Sequence, residues 1–155
     1  MGISAFARTC LLPRLKVPFS MWLTYAGIYA CCGFLMNRIG MELQIARFLY
    51  WWQVFTVYIL YMVPVSLLLR NLPWHRQYAY GLVAMGLLEF GGYALETSYA
   101  YPGNVLDKSF GIRNFSLSMA LFFALYFPAG NALVGYVYQR VYGKNRPGRR
   151  ELDRV

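Results

Sequence analysis

Acidic residues are scarce in this chain, six against fifteen Lys and Arg among 155 residues. Charge of both signs together reaches only 14%, well under the roughly 25% of a soluble domain. A soluble fold of this length would lack the polar cover its apolar segments need. Histidine is nearly absent. The single His75 leaves no basis for a haem, chlorophyll or di-iron site built from histidines of this chain alone. The three cysteines, Cys10, Cys31 and Cys32, have neither metal-ligand nor Cys-x-x-Cys spacing. Cys31 and Cys32, adjacent on a helix, point about 100° apart and read as small apolar packing residues. There is no P-loop and no glycine-rich dinucleotide turn, so no metal and no cofactor is expected. The formal charge of +9 does not read as nucleic-acid binding, because no basic patch interleaved with aromatics occurs.

What the chain has is apolar length. Hydrophobic residues make up 59% and aromatics 19%, gathered in runs at residues 17–36, 48–69, 77–97 and 114–138. Each is long enough to cross a hydrocarbon core of about 30 Å at about 1.5 Å per residue. The expected fold is all-α: an integral-membrane four-helix bundle forming a single membrane domain over residues 1–155, with a basic tail at 139–155. The first run is too long for a signal-peptide core and has no clear cleavage site after it, so it reads as an uncleaved helix.

The connections carry their own signals. The first loop, residues 37–47, is amphipathic and reads as lying in the membrane interface. Tyr50, Trp51 and Trp52 then mark a headgroup-level belt. Pro64, well inside the second run, predicts a kink near Tyr61 and Met62. The short turn 70–76 forces an antiparallel hairpin. The third loop, residues 97–113, carries the turn sequence Pro102-Gly103-Asn104. The fourth run is expected to break at Pro128-Ala129-Gly130-Asn131.

Basic residues set the orientation. Eleven of the Lys and Arg fall in the N-terminal segment, the second loop and the tail, against four in the first and third loops. The positive-inside rule then places both termini in the cytoplasm, or in the matrix for a mitochondrial protein. The localisation expected is integral and multi-pass, in the cytoplasmic membrane if the protein is bacterial.

One acidic residue stands apart. Glu89 lies in the middle of the third run, on a helical stripe with Leu82, Met85, Gly86, Gly92, Tyr93 and Glu96. A charge at that depth costs about 2.5–3.5 kcal/mol on insertion scales, so the side chain is expected to be a protonated acid with a function, or a neutral group hydrogen-bonded to Gln53, a tyrosine or a carbonyl. Glu96 shares its face, but about 10 Å along the axis, too far to share one proton. Glu89 and Glu96 are the candidate catalytic residues. Gln53 and Ser118, by depth, Tyr93, by face, and Asn131, deeper towards the cytoplasm, are the candidate substrate contacts. Glycines 81, 86, 91 and 92 leave room beside the carboxylate for another helix or a ligand.

Three functions fit these residues. The leading one is a small membrane enzyme that transfers a proton to a lipid-soluble substrate, isoprenoid or polyketide-like, as a cyclase, isomerase or hydratase. The alternative is a non-catalytic subunit or assembly factor of a membrane complex. A third is a small proton-coupled exporter working as a homo-oligomer. The partners expected are the lipid bilayer and a hydrophobic small molecule, with a membrane-protein partner or further copies of the chain in the second and third readings.

Overall fold

The computed structural model describes residues 15–95, 98–101, 103–110 and 115–143. Among the described residues the fold is helical apart from one short pair of strands. Helix α1 spans Phe19–Glu42, strand β1 Ala46–Phe48 and helix α2 Trp51–Leu69. A turn then leads into α3, Trp74–Ala94. Strand β2, Ser98–Ala100, and the short helix α4, Val105–Phe110, follow. Helices α5, Phe115–Ala124, and α6, Tyr126–Tyr142, are the last elements among the described residues.

Three of the helical segments, Phe19–Glu42, Trp51–Leu69 and Ser116–Tyr142, are long and apolar enough to cross a membrane by length and composition. Helix α3 has the length, but Gln77, Glu89, three tyrosines and four glycines make it more polar than the others. Large apolar side chains lie exposed along the helices, among them Leu23, Leu60, Val83, Leu87 and Leu133. Helices that are hydrophobic all round are those of a membrane span or a deeply buried core.

Helix α1 runs six residues beyond the apolar stretch that predicts it, because nothing in Asn37 to Glu42 breaks it and Arg38 Nε reaches Glu42 Oε1, one turn on, at 3.3 Å. It ends in a Schellman motif: Ile45 N–H donates to the Gly40 carbonyl and Gln44 N–H to that of Met41. Gln44 takes the left-handed position, φ 52°, that glycine usually fills. The first loop therefore begins later than its composition suggests.

Antiparallel β1 and β2 join this loop to the third, with Ala46 opposite Ala100 and Phe48 opposite Ser98. Asn37 Oδ1 on α1 accepts from Phe48 N–H, and Ile45 O accepts from Tyr101 N–H. The two loops thus meet at one end of the bundle. The turn between α2 and α3 lies beyond the opposite ends of those helices.

The core is built on α2, which supplies Val54, Tyr58, Met62, Val63, Leu67 and Leu69 as buried residues. Val54, Tyr58, Met62 and Ser66 recur every four residues, a spacing that drifts by about 40° per step on an ideal α-helix. Thr56–Met62 is wound as a π-helix, which turns less per residue and holds the stripe on one side. Pro64, which cannot donate to the ladder, falls in the first turn of the α-helical segment that resumes at Val63. The expected disruption is present but takes the form of a wider winding that starts at Thr56.

The break in the fourth run also moves. It falls at Leu125, between α5 and α6, so Pro128 sits in the first turn of α6, where a missing N–H costs little. Several helix contacts close over a glycine, two of them on α3 and α6. Gly81 on α3 lies against the Phe127 ring, and Gly130 on α6 against the Tyr29 hydroxyl.

Candidate functional site

A cavity of about 350 Å³ opens among α1, β1, α2, α3 and α5. Its polar wall has Tyr58 from the π-helical turn of α2, Glu89 from α3 and Ser118 from α5. The rest is mainly apolar: Met36 and Ile39 of α1, Leu43 just past its end, and Met119, Phe122 and Phe123 of α5. Residues Ile45 to Phe48 close the end nearest the strand pair. Arg47 stands there with its guanidinium 5.6 Å from the centre of the Tyr101 ring.

Each polar residue is placed for a local reason. Tyr58 is 1% exposed, its ring edge-on to Phe123 and Tyr126 at centroid distances of 6.4 and 6.0 Å. Gly33 on α1 lets it sit there, since a Cβ at that position would come within 2.7 Å of Tyr58 Cγ. Glu89 is half-buried. Among the described residues its carboxyl has no hydrogen-bond or ion-pair partner. Two further hydroxyls on α2 and α3 are engaged elsewhere: Tyr61 donates to the Ala84 carbonyl at 2.7 Å and Tyr78 to that of Leu121 at 3.3 Å.

Of the sequence candidates, Glu89 and Ser118 come together on this wall. Gln53 and Asn131 do not. Gln53 is buried and its Oε1 accepts from Tyr50 N–H at 2.7 Å, which caps the start of α2. Asn131 belongs to a separate polar chain: its Oδ1 accepts from the Tyr25 hydroxyl, and its Nδ2 donates to Gln77 Oε1, both at 2.7 Å. Gln77 Nε2 in turn donates to the Leu72 carbonyl. This chain ties α1, α3 and α6 together near the α2–α3 turn. A second tie joins the Tyr29 hydroxyl to Ser66 Oγ at 2.6 Å and to the Tyr126 carbonyl at 3.1 Å. Tyr93 lies on the α3 backbone, but its side chain, and the whole of Glu96, fall outside the described residues.

The glycines of α3 divide in the same way. Gly81 meets Phe127, whereas Gly86 and Gly91 have open space where a side chain would begin. Among the described residues no three His, Cys, Asp or Glu gather as metal ligands would. His75 is exposed beside Trp74, Cys31 and Cys32 are free thiols on α1, and Cys10 lies outside the described residues.

Tyr58 and Arg47 are members of the site that sequence reasoning does not single out. Tyr58 is one of fourteen tyrosines, and only its place in the four-residue stripe of α2 sets it apart. Arg47 looks like an ordinary interfacial cation until its strand pairs. The site can therefore offer a carboxyl and a phenol to an apolar molecule, with a guanidinium at one end. Compared with protein-family models, curated proteins and solved structures, the chain matches none of them.

Proposed function

We propose that this protein is a small multi-pass membrane enzyme, with four spans and both termini on the cytoplasmic side, that transfers a proton to a lipid-soluble substrate. The observation that carries the proposal is Glu89: an unpartnered carboxyl among the described residues, on the wall of an apolar cavity. The cost of burying an unpaired charge keeps such a group neutral, and a neutral carboxyl can donate. Glu89 gives its proton to a double bond, epoxide or carbonyl of an isoprenoid or polyketide-like molecule. The cation so formed loses a proton from a neighbouring carbon back to the Glu89 carboxylate, as in an isomerase or cyclase, or takes up water and returns the extra proton of the resulting oxonium to that carboxylate, as in a hydratase. In every case the Glu89 acid is restored, and only the hydratase consumes a second reactant, water. The Tyr58 hydroxyl, buried on the same wall, orients the substrate oxygen.

The test compares wild-type protein and Glu89→Gln, both purified in a lipid-retaining detergent, by mass spectrometry of whatever travels with each. A small apolar molecule retained by both, or enriched in the variant, is expected, together with loss of its conversion in cells carrying Glu89→Gln. A stoichiometric protein partner released by the variant would overturn the catalytic reading and make Glu89 an interface residue of a larger complex.

A further inference from the structure

The cavity's shape bears on how a substrate reaches Glu89, an inference that rests on reading this cavity as a ligand site. Helix α1 packs against α2 and α6, and α5 packs chiefly against α3, but α1 and α5 are not among the closely packed pairs. Both nevertheless line the cavity, so the cavity occupies the gap between them. The residues flanking that gap are apolar and exposed: Ile39 at 37%, Leu43 at 62% and Phe122 at 48%. A water-facing mouth would have polar side chains there. At the opposite side stand Tyr58, at 1% exposed, and Glu89. The end of the cavity towards the loops is closed by β1, whose Phe48 is held to α1 through Asn37.

Size adds a constraint. The volume of about 350 Å³ is at the low end of the roughly 300–1,000 Å³ of small-molecule sites. A long lipid-soluble chain does not fit whole.

We infer that the cavity takes the oxygen-bearing end of a linear apolar molecule directly from the bilayer, through the gap between α1 and α5, with the remaining chain left outside among the lipids. The ligand class is a membrane-dissolved alcohol, aldehyde or ketone with a long unbranched or isoprenoid tail. Its oxygen meets Glu89 and Tyr58. Its chain passes Ile39 and Phe122.

The experiment uses full-length protein in lipid nanodiscs and two long-chain primary alcohols, one with a diazirine beside the hydroxyl and one with it at the far end of the chain. After photolysis, labelled positions are read by proteolysis and mass spectrometry. The hydroxyl-end probe is expected on the inner wall, at Tyr58, Met119 or Phe123, and the far-end probe at Ile39, Leu43 or Phe122. Identical patterns from both probes, labels spread over lipid-facing positions such as Leu23 and Leu87, or no labelling would each overturn the inference. Ile39→Trp, which adds bulk to an exposed rim position, should remove the inner-wall labels while the helical circular dichroism and unfolding midpoint stay at wild-type values. Inner-wall labels that persist in a folded Ile39→Trp overturn it as well. Glu89→Gln separates this claim from the catalytic one: turnover tests the acid, and label positions test the route. Labels that leave the cavity in that variant count against the route.

Discussion

Two glycines of the same helix should respond in opposite directions to the same substitution. At Gly81 an alanine Cβ would stand 3.1 Å from both Cγ and Cε2 of Phe127 and closer still to Cδ2, well inside the ordinary carbon contact of about 3.5–4.0 Å. Phe127 has no exposed surface, so its ring cannot retreat without moving α6. Overpacking of this kind costs about 1–3 kcal/mol. At Gly86 nothing lies within 4 Å of the new methyl, and Gly→Ala inside a helix gains about 0.5–1 kcal/mol. The two alanine variants should therefore differ by about 1.5–4 kcal/mol. The measurement is an SDS titration in mixed micelles followed by tryptophan fluorescence, with Phe127→Leu added to complete a double-mutant cycle. Phe127→Leu should offset part of the Gly81→Ala loss, with a coupling of about 0.5–3 kcal/mol. Similar shifts at Gly81 and Gly86, or a cycle with no coupling, would refute the close approach of α3 to α6.

Other expectations follow from the polar ties and helix ends, each read in the same titration. Asn131→Leu leaves the Tyr25 hydroxyl and the Gln77 amide without their shared partner and should cost about 1–3 kcal/mol, and an unchanged midpoint would count against the chain they form. Tyr29→Phe removes both of its hydroxyl contacts, whereas Ser66→Ala leaves the one to the Tyr126 carbonyl, so the tyrosine change should be the larger loss. Gln44→Gly relieves a left-handed position that costs an ordinary residue roughly 1–2 kcal/mol, so a stabilisation of about 1 kcal/mol is expected, and a loss would contradict the Schellman ending of α1. Arg38→Ala breaks only an exposed pair one turn apart and should move stability by no more than about 0.5 kcal/mol.

The long helices could be read from the sequence because each depends on a local property, an unbroken apolar run. What could not be read depends on partners distant in the chain. Ala46-Arg47-Phe48 and Ser98-Tyr99-Ala100 are too short for an alternating pattern, and neither pairs without the other, so the strands had no local mark. Helix α1 outruns its apolar stretch because a helix continues until something stops it, and the stop lies in backbone geometry at Gln44. Depth along a helix was enough to bring Glu89 and Ser118 to one wall. It could not distinguish them from Gln53 and Asn131, whose amides are taken up by Tyr50, Tyr25 and Gln77. Those engagements turn on rotation about the helix axis and on the neighbours met there. Tyr58 carries no local mark for the same reason: its burial follows from the π-wound turn and from the absence of a side chain at Gly33.

The strand pair also sets an order of events. Ala46 and Ala100 lie on either side of the entire α2–α3 hairpin, so β1 can find β2 only after that hairpin has formed and returned the chain to its starting end. Such a closure comes late, because the entropy of bringing distant segments together must be met before their contacts form. Residues Ile45 to Phe48, which wall one end of the cavity, are thus settled among the last. Variants that slow the hairpin, in the turn at residues 70–73, would leave the cavity unfinished and resemble variants of its wall in a cell-based screen, although they touch none of its walls.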